Sequence, residues 1–594
     1  MINHLTTARV IRNIALILAL AVSLISVPWR ICNAQETSAE ALAGLWVSKR
    51  HLGPEIQGSL TLREEDGRWT ASIEQFTVTA SLTGGDLTFS LPGERGSFRG
   101  AYNRESGSVT GHWVQPPLIG AGVSYASPVQ FDSAGPGIWR GALEPLANNI
   151  TLFFSLQPPQ DGAMNAFLRN PEFNFGRFFS ITNVTLDEGN MTFVEAGRDQ
   201  TRLSGSYNSE EDVFTLFIPD AGGSYDFKRE VDSSSAFFPR ARDNTAYVYR
   251  APLPRADGWR TGDLASVDMA PEPIAALVER IGDTPMDDVT APYIHALLIA
   301  RRGVLVVEEY FHGYDGSPHD TRSAAKTITA TLVGLAESQG LPAGLATPVY
   351  ETMLEGGAAL DTLDPRKREM TLEHLVTMSS GLECDDGDSN SPGNEDRMQS
   401  QSDQTDWALF TMDLPLAHPP GEVAAYCSGG MNLAAATLSR ATGLWLPRFF
   451  DEYYAGPLQL GVYHMNLTPT GEGYGGGGLY LSARDFLKLG QLYLDGGVWN
   501  GRRLLTQEWV DEATSPQTHI WSEDYGYGWW IVSYPYRESA VTAYYAGGNG
   551  GQYVICVPEL QLAVTFFAAN YSQSIMHQTK REFVPQYIFP AILK

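Results

Sequence analysis

The stretch Thr321-Arg-Ser-Ala-Ala-Lys-Thr-Ile-Thr-Ala-Thr-Leu-Val-Gly-Leu-Ala336 holds Ser323 and Lys326 in an S-x-x-K arrangement. Residues three apart on a helix are neighbours on one face, so the hydroxyl and the amine would meet there. Ile328, Leu332, Val333 and Leu335 carry the apolar period of a helix, which puts the pair at a helix start. A serine hydroxyl is a poor nucleophile until a neighbouring base takes its proton. A lysine one turn deeper, desolvated against a packed helix, has its charged form disfavoured and would serve as that base. The same four positions also fit an ordinary helix N-cap, so the motif needs support from the rest of the chain.

Working outward, residues 295–300 and 304–311 read as paired strands joined by Arg301-Arg-Gly303, with a helix over 273–281 ahead of them. A helical middle follows, including 371–378, 431–441 and 483–494. Residues 540–546, 552–557 and 562–568 then read as an antiparallel meander. Strands, then helices, then strands predict an α+β domain whose sheet is built from both ends of the segment.

Residues 36 to about 229 read as short alternating strands punctuated by Gly, Asp and Asn. An internal repeat runs through them. Gly44-Leu-Trp46 is answered by Gly137-Ile-Trp139, and 76–89 by 181–193. Phe98-Arg-Gly-Ala-Tyr-Asn103 is answered by Leu203-Ser-Gly-Ser-Tyr-Asn208. Each copy is long enough for a meander that closes as a small barrel or pairs with its twin. The copies resemble the lipocalin-like modules attached to some bacterial serine hydrolases. They carry no catalytic groups, which predicts a pedestal or a ligand-binding module. The expected divisions are a signal at 1–34, β modules at 35–132 and 133–229, a Ser- and Pro-rich linker at 230–262, and a catalytic domain at 263–594.

A hydrophobic content of 43% with 18% charged residues is that of a globular chain. The formal charge of −27 argues against nucleic acid and anionic membrane surfaces as partners. Arg9 and Arg12 ahead of the apolar run 14–22, with Ala34 as a cleavage point, read as an export signal, and a retained anchor is the alternative. Cleavage would leave a periplasmic or secreted protein with no stable membrane insertion. Cys384, Cys427 and Cys556 would remain, an odd number that is no disulfide framework, and no spacing suggests a metal or cofactor. Asp385-Asp-Gly-Asp-Ser-Asn390 lacks the glycine and closing glutamate of a calcium loop and reads as a solvated acidic loop. The tetraglycine Gly475–Gly478 lacks the lysine that a phosphate loop requires.

In order along the chain stand His319-Asp-Thr-Arg-Ser-Ala-Ala-Lys326, Met370–Leu382, Pro419–Ser428, Gly475–Asp485 and Gly547-Gly-Asn-Gly-Gly-Gln-Tyr553. With this series the region from about 270 to 590 resembles the serine β-lactamase and penicillin-binding-protein superfamily, particularly its class C-like esterases and 6-aminohexanoate-dimer hydrolases. The resemblance implies a β-lactamase-like domain, an antiparallel sheet flanked by helices, with Ser323 as nucleophile and Lys326 as base. Tyr426 matches the tyrosine of the second motif and would relay a proton to the leaving group, its phenol lowered by the nearby ammonium. Ser428 stands at that motif's third position, where it would bond Lys326 or substrate. The third motif, lysine in penicillin-active members and often histidine in esterases, is read at Asn549, Gly550 and Gly551, and the backbone N–H of Gln552 with that of Ser323 as the oxyanion hole. Without that cation the site has less to hold a carboxylate, so an ester or small amide ranks above a β-lactam. Met378 replaces a frequent histidine in a structural position, and the acidic stretch 384–407 would overhang the pocket. The alternatives are a penicillin-interacting D-peptidase or β-lactamase, and an inactive binding or sensing module. The acyl group, the leaving group and the oligomeric state are not set by the sequence.

Overall fold

Nine strands drawn from both ends of the C-terminal segment form one sheet. Their order is Arg260–Thr261, Val304–Tyr310, Ile294–Arg301, Leu562–Ala568, Gln552–Val557, Ser539–Gly548, Trp530–Tyr536, Glu523–Tyr525 and Thr518–Ile520. The computed structural model describes residues 39–118, 122–172, 180–195, 201–219, 222–231, 233–240, 246–354 and 358–593. The expected signal at 1–34 lies outside them. Only the short pairing of Arg260–Thr261 is parallel. Strands Ile294–Arg301, Gln552–Val557 and Leu562–Ala568 are buried at every residue, which is why they read as continuous apolar runs. Helices cover both faces. Gly490 of helix Ala483–Leu494 lies against Val554 and Cys556, while Phe583 packs on Phe566 across the sheet.

The N-terminal region forms two closed eight-stranded barrels. One runs from Gly58–Glu65 through Ile138–Leu143, whose last strand pairs with both the first strand and Tyr125–Gly135. The other joins Gly44–Gly53 to the strands from Asn148–Leu156 to Gly223–Arg229. The barrels therefore do not follow the repeats at 35–132 and 133–229, because the two copies exchange their G-x-W strands. Trp139 of the second copy packs edge-on against Tyr102 of the first, and Trp46 of the first against Tyr207 of the second. Glycines at matching positions, Gly100 and Gly205, lie so close to the next strand that a Cβ would meet the carbonyl oxygens of Thr110 and Thr215. Each barrel has its own aromatic core, around Trp69, Phe98 and Trp113 in one and Trp46, Phe154 and Phe214 in the other.

The first barrel is continuous with the neighbourhood of Ser323. Strand Tyr125–Gly135 pairs with His464–Asn466, which pairs with Leu479–Leu481, which pairs with His319–Asp320. Buried hydrogen bonds cross the same boundary, His112 to Tyr463 and Ser127 to His464, each at 2.8 Å. Residues expected as a linker pack along the sheet edge. Tyr249 donates to the Val306 carbonyl at 2.6 Å and Trp259 to that of Arg484 at 3.0 Å.

Candidate active site

A short 3-10 turn, Arg322–Ala324, leads into the helix Ala325–Ser338. Arg322 has φ +51, a left-handed conformation that costs a bulky residue energy and persists only where neighbours over-determine it. They do. The Arg322 N–H donates to Asp320 Oδ1 at 2.8 Å, its guanidinium meets Asp320 Oδ2 at 2.8 Å, and the same group lies 4.7 Å over the Tyr571 ring. Thr321 is tied through its N–H and its hydroxyl to the Leu479 carbonyl, at 3.0 and 2.7 Å. The result presents Ser323, half-buried, at the helix start.

Lys326 is buried one turn on, and its Nζ donates to Ser323 Oγ at 2.9 Å and to the Gly476 carbonyl at 2.6 Å. The glycine run makes the second bond possible. A Cβ on Gly475 would stand 2.5 Å from Ala435 Cβ, so only glycine lets this backbone lie against the helical layer, where Gly475 also accepts from Thr329 at 2.8 Å.

Tyr426 places its ring 5.0 Å from Lys326 Nζ. The chain is fixed on both sides of it. The Ala425 N–H donates to the Met378 carbonyl at 2.9 Å and the Cys427 N–H to Met378 Sδ at 3.4 Å, while the Tyr426 carbonyl accepts from Asp386 N–H at 2.8 Å. Met378, itself at φ +60 and buried, thus acts as a structural bracket for Tyr426. Cys427 is disulfide-bonded to Cys384, which corrects the expectation that the three remaining cysteines form no framework. Only Cys556 is free among the described residues.

The disulfide sets the acidic stretch beside Tyr426; residues 387–390 are exposed, as a solvated loop should be, but Asp386 turns inward. Asp386 Oδ2 accepts from the Ser428 N–H at 2.8 Å and the Ser428 hydroxyl at 2.7 Å, and Asp386 Oδ1 from the Glu395 N–H at 2.9 Å. Ser428 is therefore committed to Asp386 rather than to Lys326 or a substrate. Glu395 accepts from the Tyr474 hydroxyl. Burial alone would lower the Lys326 amine, but Tyr426, Glu395 and Asp386 together outweigh it, and the amine is held above its ordinary value. This reverses the expectation of a lysine neutralised by desolvation, because the sequence did not show two carboxylates beside it. Burial pushes the Asp386 carboxyl up against the pull of Lys326.

The third-motif residues also need correction. Strand Trp530–Tyr536 stops pairing at Tyr545, which leaves the last residues of Ser539–Gly548 open towards the nucleophile turn. The close approach is made by Gly548, where a Cβ would sit 2.3 Å from the Thr321 carbonyl oxygen and 3.2 Å from Ala324 N. Asn549, Gly550 and Gly551 instead form the turn after it. The Asn549 carboxamide is tied to Ser572, at 3.1 Å from its hydroxyl, and the Gly550 N–H faces Met576 Sδ at 3.4 Å. Gln552 pairs with Gly548, and its side chain bridges Ala568 and Asn549 from the far side of the strand. Among the described residues the Asn549 N–H has no hydrogen-bond acceptor.

Two features were missed altogether. Trp521 lies 5.3 Å from Tyr426 and 5.7 Å from Trp530, ring to ring. Asp386 was legible only through the cysteines: pairing Cys384 with Cys427 would have set the acidic run beside Tyr426.

Residues 287–574 match the family model described as Beta-lactamase. A 6-aminohexanoate-dimer hydrolase of Paenarthrobacter ureafaciens is 27% identical over 227 residues, 37% of this chain and 56% of that protein. The chain thus spans little more than half the length of that curated relative. Among solved structures, a novel penicillin-binding-protein homologue from Caulobacter crescentus is similar at 15% identity and a TM-score of 0.40, over 51% of this chain and 92% of that one. A family VIII carboxylesterase is similar at 16% identity and a TM-score of 0.39, over 54% and 94%. A sheet built from both ends of the segment, with helices on its faces and an S-x-x-K pair at a helix start, is a fold of the β-lactamase class. Over residues 287–574 the chain is therefore similar to the serine β-lactamase/penicillin-binding-protein-like superfamily.

Proposed function

We propose that the protein is a serine hydrolase that cleaves an ester or small amide through an acyl-enzyme on Ser323. The observation that carries this is the 2.9 Å bond between Lys326 Nζ and Ser323 Oγ, with Tyr426 over the same amine. Ser323 Oγ attacks the substrate carbonyl and its proton passes to the Lys326–Tyr426 pair. The N–H groups of Ser323 and Asn549 receive the developing oxyanion. Tyr426 protonates the departing alcohol or amine as its bond to the carbonyl carbon breaks. Water then attacks the acyl carbon, and the Ser323 oxygen leaves and regains a proton.

The charges around the pair favour a substrate without a carboxylate. Asp386 and Glu395 stand beside Lys326, whereas Arg322 is committed to Asp320 and Lys580 to Glu523. The strand end that abuts the nucleophile turn, Ala546-Gly547-Gly548, carries no cation. A disulfide at the site fits an exported protein, as the N-terminal sequence suggests. The barrels serve as a lipocalin-like pedestal on this reading. Ser323→Ala is expected to abolish hydrolysis of activated esters and labelling by a fluorophosphonate; undiminished labelling of the variant would remove Ser323 from the role. A stable penicillin adduct on Ser323 would move the substrate class to β-lactams.

A further inference from the structure

Trp521 and Ser522 form the tip of a hairpin between Thr518–Ile520 and Glu523–Tyr525. Trp521 has φ +55 and is 65% exposed, an unfavourable backbone and an unfavourable surface for so large an apolar side chain. The hairpin is nonetheless held firmly. Thr518 Oγ1 donates to the Thr377 carbonyl at 2.8 Å, Lys580 Nζ meets Glu523 Oε1 at 3.1 Å, and the Tyr545 hydroxyl donates to Glu523. The indole is stacked on Trp530, with planes 13° apart, and leans on Tyr426 at 35°. Trp530 in turn stacks on Tyr545 at 16°. A rigid aromatic floor thus runs outward from the proton donor, and its last ring has an open edge towards solvent.

Tyr426 can protonate only the group that is leaving, so the departing alcohol or amine must lie beside it and hence along this floor. Lys580, 4.0 Å from the Tyr545 ring, is paired with Glu523, and Lys326 at the inner end of the floor is bonded to Ser323 and Gly476, so the outer rings offer no free cation to an anion. We infer that Trp521 forms the leaving-group subsite and selects an uncharged, aryl-bearing alcohol or amine. This rests on the assignment of Ser323 and Tyr426 made above.

The test compares benzyl and ethyl esters of one acid, which share an acyl-enzyme and differ only in the group that leaves. An aromatic pair contributes about 0.5–1.5 kcal/mol beyond area. Trp521→Ala should therefore lower the benzyl-to-ethyl ratio of kcat/KM by about 2- to 12-fold, and Trp521→Phe should restore most of it. The deacylation rate of the common acyl-enzyme should not depend on which ester formed it. A benzyl-to-ethyl ratio unchanged in Trp521→Ala overturns the inference, as does an equal fall for both esters, which would mean that Trp521 only supports Tyr426. Turnover surviving in Ser323→Ala would overturn the underlying reading instead, so the two failures are distinguishable.

Discussion

Gly548→Ala isolates the contact between the open strand end and the nucleophile turn. Gly548 has no left-handed φ, so alanine brings no backbone strain of its own and adds one methyl group. That methyl would stand 2.3 Å from the Thr321 carbonyl oxygen, roughly 1 Å short of ordinary contact. Both sides of the clash are backbone. Thr321 cannot rotate away, because its N–H and hydroxyl are held by Leu479, and its neighbour Arg322 is pinned by Asp320. The turn bearing Ser323 must shift by something near the missing distance. Overpacking of this kind costs about 1–3 kcal/mol of stability, and a displacement of about 1 Å at reacting groups costs on the order of 100-fold in rate. We expect kcat/KM for an activated ester to fall by about two orders of magnitude while circular dichroism shows a folded protein. Wild-type kcat/KM in Gly548→Ala would refute the claim that this strand end abuts the nucleophile.

Asp386→Asn removes one of the charges that hold the Lys326 amine up, so that amine should titrate lower. Because turnover needs a proton acceptor for Ser323, the acid limb of the pH profile of kcat/KM should move to lower pH; an unmoved limb would mean that Asp386 acts only through Ser428. Cys384→Ser opens a loop with a sequence separation of 43, for which chain entropy predicts a loss of about 4 kcal/mol. Its melting temperature should fall, and kcat with it, since Cys427 adjoins Tyr426; unchanged melting would show that the loop is held by its other bonds. A fragment of residues 54–145, containing a complete barrel, should melt cooperatively, whereas 35–132 lacks the closing strand Ile138–Leu143 and should not. Equal melting of the two would contradict the strand exchange.

The catalytic sheet was legible because its strands are buried runs bounded by turns and its helices carry a clear period. Residues 483–494 were bounded as the structure bounds them. The barrels were legible as strands and as repeats but not as partners, because either copy's G-x-W strand completes either barrel with the same local pattern. At the site, Ser323, Lys326 and Tyr426 come together, two of them three residues apart and the third in a recognisable motif. What escaped was set by tertiary approach. Asp386 looks as solvated as the rest of its run until the Cys384–Cys427 disulfide sets it beside the site, and the raised amine of Lys326 follows from Tyr426 and from carboxylates 60 and 69 positions away. The slip at Asn549–Gln552 has a similar origin, since six residues with four glycines give no local signal of which one faces the nucleophile.

The central claim is that Ser323 carries the acyl group. Rapid acid quenching of the protein during turnover of an activated ester, followed by mass analysis of the peptide containing Ser323, tests it directly. The account predicts a mass increase equal to the acyl group on Ser323, absent in Ser323→Ala. An acyl group on any other residue, or turnover by the alanine variant, would contradict it.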